Sequence, residues 1–114
     1  MKTRYYYLRD SKNSPLVTIC LIEKDNIVGK GVAICSMLDL PNKKVGRTIA
    51  RGKALKALGK QEHSEPIKRF KAIHALSNAY SLIDEYNQLV KYMHKSIFNP
   101  QLTAYETKLL GWGA

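Results

Sequence analysis

This chain is short of acid. Its 114 residues carry nine Asp and Glu against 19 Lys and Arg, a formal net charge of +10. So few carboxylates leave little from which to build the acid–base pair of a hydrolase, and Asp84, Glu85 and Glu106 fall where helix surface is expected. Cysteine is scarce too. Cys20 and Cys35 each sit in an apolar, strand-like run, and a tight turn at Asp25-Asn26 sets Cys20 opposite Gly31 and Cys35 opposite Leu16. The thiols are then not cross-strand neighbours, so no disulfide is expected and a reducing, cytosolic setting fits. His63, His74 and His94 are far apart and no Cys/His pair has ligand spacing, so no metal is expected. The chain shows no phosphate-binding P-loop, dinucleotide fingerprint or nucleophile motif, and neither an enzymatic activity nor a cofactor is expected. The longest apolar runs are too short to cross a bilayer. Residues 1–7 are polar and aromatic, without the apolar core of a secretory signal. No internal repeat or low-complexity segment is present.

What the chain does have is strand signal early and helix signal later. Tyr5, Tyr6, Tyr7 and Leu8 favour a strand, residues 10–15 a polar turn, and the β-branched run 16–23 a second strand. After the turn at Asp25-Asn26, residues 27–37 predict a third. Val28, Val32 and Ile34 then share a face with Val17, Ile19 and Leu21, which predicts core. The opposite face of the third strand shows Gly29, Gly31, Ala33 and Cys35, small enough for close approach of a helix, the favoured occupant, or of a subunit or ligand. Asp39 or Asn42 can cap a helix over 43–58, in which Gly46 and Gly52 each cost about 1 kcal/mol relative to Ala. Pro66 opens a second helix, with apolar residues at Ile67, Phe70, Ile73, Leu76, Tyr80, Ile83, Tyr86, Val90 and Ile97, stopped by Asn99-Pro100.

These readings give an α+β fold in a single domain of residues 1–114. It comprises an N-terminal antiparallel sheet of three or more strands (1–38), a basic helix (43–60), a long amphipathic helix (64–98) and a C-terminal tail (99–114) with a short helix over 101–110. The long helix outruns what a three-stranded sheet can cover, which predicts contacts between copies in a homo-oligomer.

Between residues 42 and 60 stand Lys43, Lys44, Arg47, Arg51, Lys53, Lys56 and Lys60, without one Asp or Glu. Arg47 and Arg51 are four apart and share a helix side. Guanidinium groups converging near a sheet end suit an anion, phosphate foremost. Three readings stay open: a solvated surface, a duplex-binding face, or a pocket for a small phosphorylated ligand. In the pocket reading Arg47 and Arg51 fork onto phosphates, Gly46 and Gly52 permit close approach, and Phe70 or Tyr80, each also a core candidate, stacks on a base. Asn42, Lys44 and Lys53 complete the candidate ligand-binding set.

The stretches Lys30–Asp39 (KGVAICSMLD) and Lys44–Leu58 (KVGRTIARGKALKAL) resemble the type 1 Thoeris anti-defence proteins of phages. The resemblance covers about a third of the chain in motif and all of it in layout. It implies a non-enzymatic, oligomeric sponge in the host cytosol that sequesters a cyclic ADP-ribose-type signal, made by a TIR-domain immune enzyme, without cleaving it. Some members of that family also hold cyclic oligonucleotides at a separate site. A small basic nucleic-acid-binding protein and a protein inhibitor of an acidic host enzyme are the alternatives.

Overall fold

The computed structural model describes residues 1–10, 13–34, 43–60, 81–91, 94–98 and 101–112. Strand β1 is Lys2–Arg9, β2 Pro15–Lys24 and β3 Ile27–Ile34. Helix α1, Lys43–Gly59, follows. Two short strands, β4 at Ser81–Ile83 and β5 at Leu89–Lys91, precede helices α2 at Lys95–Phe98 and α3 at Ala104–Leu109. The five strands form one antiparallel sheet in the order β3-β2-β1-β4-β5. The class is α+β, with strands on both sides of α1 in sequence. Among the described residues no helix is long and apolar enough to cross a membrane.

The N-terminal hairpins follow local chemistry. Asp25 and Asn26 both take positive φ (53° and 65°), the combination a two-residue turn needs to match strand twist. This turn pairs Cys20 with Gly31, as the sequence predicts, and Val17 with Ile34. Cys20 is a buried free thiol, its pKa pushed up to about 11 chiefly by that burial, whereas Cys35 lies outside the described residues. Alternation sends Tyr6, Leu8, Val17, Ile19, Leu21, Val28 and Val32 to one face, where Leu82, Ile97 and Leu110 complete the core.

The other face receives α1. Ala50, Ala54 and Ala57 are its buried residues, and β3 meets them with glycine. A Cβ on Gly31 would stand 2.0 Å from the Ala50 carbonyl oxygen, and one on Gly29 2.3 Å from that of Ala54. The small-residue face therefore serves close helix packing. Gly46 is similar, since its Cβ would meet Thr18 Oγ1 at 2.4 Å. Gly52 differs, with no atom within 4 Å of a Cβ there and an exposed position. Gly52→Ala is accordingly expected to stabilise the protein by about 1 kcal/mol through helix propensity alone. Urea denaturation checks this; a lowered midpoint would mean that the position is packed.

The long helix over 64–98 is corrected by the structure. Residues 81–91 make a strand, a turn and a strand, while 61–80 lie outside the described residues. The reason is the segment Asp84–Asn87. Asp84 Oδ1 accepts hydrogen bonds from Tyr86 N and Gln88 N, both at 2.9 Å, and Asn87 takes a φ of 63°. Asp at the start of a turn and Asn in the left-handed region stop a helix despite continued helical spacing of apolar residues. The argument for oligomer contacts from surplus helix length loses its basis here.

Candidate functional site

Odd residues of β1 point toward α1, so Tyr5 and Tyr7 lie on the same face as Thr18 and Cys20 of β2. Glycine at 46 lets the first turn of α1 settle on Thr18, which carries Arg47 across β1. The Arg47 guanidinium lies 5.5 Å from the Tyr5 ring centroid and 5.7 Å from that of Tyr7, and its Nε donates to the Tyr7 hydroxyl at 2.5 Å. Lys43 Nζ stands 5.0 Å from the Tyr7 centroid. Arg51 approaches the same place. The Tyr5 hydroxyl is held above its ordinary pKa by burial and by Cys20, against the opposing pull of Arg51 and Arg47. Two aromatic rings thus hold cations at an exposed surface, through contacts worth about 0.5–1 kcal/mol each in such settings.

The expected site residues divide as follows. Arg47 and Arg51 converge, and Lys44 is exposed on their side of the helix. Lys53 is two positions beyond Arg51, on the other side, and half-buried, so it does not join them. Asn42, Phe70 and Tyr80 lie outside the described residues. Tyr5, Tyr7 and Lys43 enter the site although the sequence presents the tyrosines only as strand formers. Their alternation, with both rings on the α1 face, was the available signal.

The acids are not helix surface, as their positions in the sequence suggest. Glu106 is completely buried and Asp84 is 5% exposed. Glu106 receives Lys30 Nζ at 2.9 Å, the Tyr6 hydroxyl at 2.5 Å and the Thr103 backbone N–H at 2.9 Å. Burial lowers the Lys30 pKa, with Glu106 acting against it. Burial, then the Glu106 charge, drives the Tyr6 pKa far above its usual range. This network ties α3 to the sheet, and the Thr103–Glu106 capping box closes it.

Beside it a groove of about 350 Å³ wraps the edge of β1. Lys43 comes to it from the α1 face. Asp84, Glu85 and Tyr105 come from the opposite one, with Arg9 and Asn13 at the strand end. Arg9 donates to Asn13 Oδ1 at 2.8 Å. Tyr105 packs edge-on against Tyr6 and Tyr86, with centroids 5.1 and 5.4 Å away. Donor atoms of Asp84, Glu85 and His94 lie within 4.8 Å of one another, a convergence that sequence spacing does not show. His94 Nδ1 accepts from Ser96 N and Asp84 Oδ1 from its own turn, so two of the three already hold the loop. No protein-family model, curated protein or solved structure matches this chain.

Proposed function

We propose that this protein binds a phosphorylated nucleotide of the cyclic ADP-ribose type and sequesters it unchanged, as a phage anti-defence sponge acting in the host cytosol. The observation that carries the reading is Arg47 spread over Tyr5 and Tyr7, with Lys43 and Arg51 beside it, on a helix without a carboxylate. Such a surface offers phosphate forked guanidinium donors with further cations beside them. The motif resemblance at Lys30–Asp39 and Lys44–Leu58 supplies the ligand class. Because Lys43, Arg47 and Arg51 are exposed, slow release calls for a second surface over the ligand, and a second copy of the chain fills that role.

The test is incubation with a cyclic ADP-ribose isomer, removal of the protein by heat and mass spectrometry of the supernatant. The ligand is expected to disappear from solution and return intact; a cleaved product rejects the non-enzymatic reading. In calorimetry Arg47→Ala is expected to cost about 2 kcal/mol of affinity, and Arg47→Lys to restore it only in part, since an ammonium does not fork. Unchanged affinity in the Ala variant places the ligand elsewhere. Duplex RNA or DNA bound tightly, with log affinity falling steeply against log salt, and no cyclic nucleotide bound, would favour the nucleic-acid reading.

A further inference from the structure

We infer that the groove across the β1 edge seats a nucleoside phosphate in one orientation, with phosphate at Lys43 and Arg9 and the ribose hydroxyls donating to Glu85 and Asp84. This rests on the nucleotide-binding reading above and specifies how the remainder of the ligand is recognised.

The walls of the groove are chemically unlike. Lys43 and Arg9 are cationic, and Asp84 and Glu85 are acidic. A bare anion gains from the first pair and is repelled by the second, as is a phosphodiester chain. A ligand with an anion at one end and hydroxyl donors at the other satisfies both. The volume, about 350 Å³, falls in the range of small-molecule sites.

The acidic wall also has acceptor capacity to spare. Glu85 Oε2 is enclosed by protein without a hydrogen-bond partner, a condition that buried polar atoms seldom keep, and turning the half-buried side chain toward the groove would give it a donor from the ligand. Burial holds the Glu85 carboxyl above its ordinary pKa, opposed by a hydrogen bond from its own backbone and by His94, with Asp84 and Glu106 adding to the rise. Asp84 uses Oδ1 for its turn. A carboxylate oxygen is an acceptor only, and a sugar hydroxyl is a donor that matches it. Tyr105, fixed edge-on between Tyr6 and Tyr86, gives the same end of the groove a rigid apolar side against the sugar.

Calorimetry with ADP, 2′,3′-dideoxy-ADP and inorganic pyrophosphate tests the assignment. On the wild-type protein ADP is expected to bind at least about tenfold more tightly than its dideoxy analogue, the loss typical of an acceptor left without its donor. Glu85→Gln is expected to weaken ADP about tenfold while pyrophosphate, relieved of one repelling charge, binds no less tightly, whereas Lys43→Ala weakens both. Equal binding of ADP and dideoxy-ADP overturns the inference and leaves the nucleotide reading standing. Failure of both ADP and dideoxy-ADP to bind the wild-type chain also overturns the inference, and the sequestration reading falls with it only if the cyclic ADP-ribose isomer fails to bind as well. The comparison of the two nucleotides uses the unaltered protein, so it decides the matter even if Glu85→Gln does not fold.

Discussion

Glu106→Ala is expected to cost about 3–5 kcal/mol of folding stability, the loss seen when one partner of a buried ion pair is removed. The carboxylate is completely buried and accepts four contacts from three donors: two from Lys30 Nζ, one from the Tyr6 hydroxyl and one from the Thr103 N–H. Truncation leaves the Lys30 ammonium, 1% exposed, without its counter-charge and deprives the Tyr6 hydroxyl of its acceptor. It also opens the capping box of a six-residue helix that cannot hold itself. Urea denaturation measures the loss. The double variant Lys30→Met, Glu106→Leu should recover much of it, because a hydrophobic pair of similar volume needs no desolvation. A Glu106→Ala protein within about 1 kcal/mol of wild type, the typical net value of one ordinary hydrogen bond, would show that the pair is not sequestered from water.

Gly31→Ala should lose about 3 kcal/mol, at the upper end of what overpacking usually costs. The added Cβ meets main chain, at 2.0 Å from the Ala50 carbonyl oxygen and 2.5 Å from the Ala54 nitrogen, so no side-chain rotation relieves it. Helix α1 must lift from β3, and Ala50 and Ala54 lose their packing against Cys20 and Ile22. The same displacement carries Arg47 away from Tyr5 and Tyr7. Stability and nucleotide affinity should therefore fall together in this variant, while Gly52→Ala on the open side of the helix lowers neither. A Gly31→Ala protein with wild-type stability would mean that α1 tolerates the shift and that the site is not built on this contact.

The cation-rich helix was legible because its residues act locally. Lys43, Arg47 and Arg51 sit on a regular helix whose period fixes which of them are neighbours, and β1 needs only alternation to present Tyr5 and Tyr7 on one face. The acidic half of the groove was hidden for the opposite reason. Asp84, Glu85 and Glu106 look like surface because isolated carboxylates nearly always are. Glu106 becomes core only when Lys30 and Tyr6, 76 and 100 residues away, arrive beside it. Lys30 itself stands in the alternation of Val28 and Val32, where a cation is the least expected residue.

The sequence by itself determined three N-terminal strands, the register of the hairpin between β2 and β3, the basic helix, and a glycine face small enough for a helix. Each rests on short-range rules: a two-residue turn at Asp25-Asn26, period-two burial, and the absence of Cβ atoms at Gly29 and Gly31. Only the tertiary structure decided the fate of 81–91 and where the short C-terminal helix docks, its Glu106 buried against Lys30 and Tyr6. Helical spacing over Ile83, Tyr86 and Val90 competes there with the turn chemistry of Asp84 and Asn87. The balance tips when β4 finds the edge of β1 at Arg9 and Leu82 enters the core. Periodicity states which residues lie together along one element; it carries no information about an edge that becomes available many residues earlier in the chain.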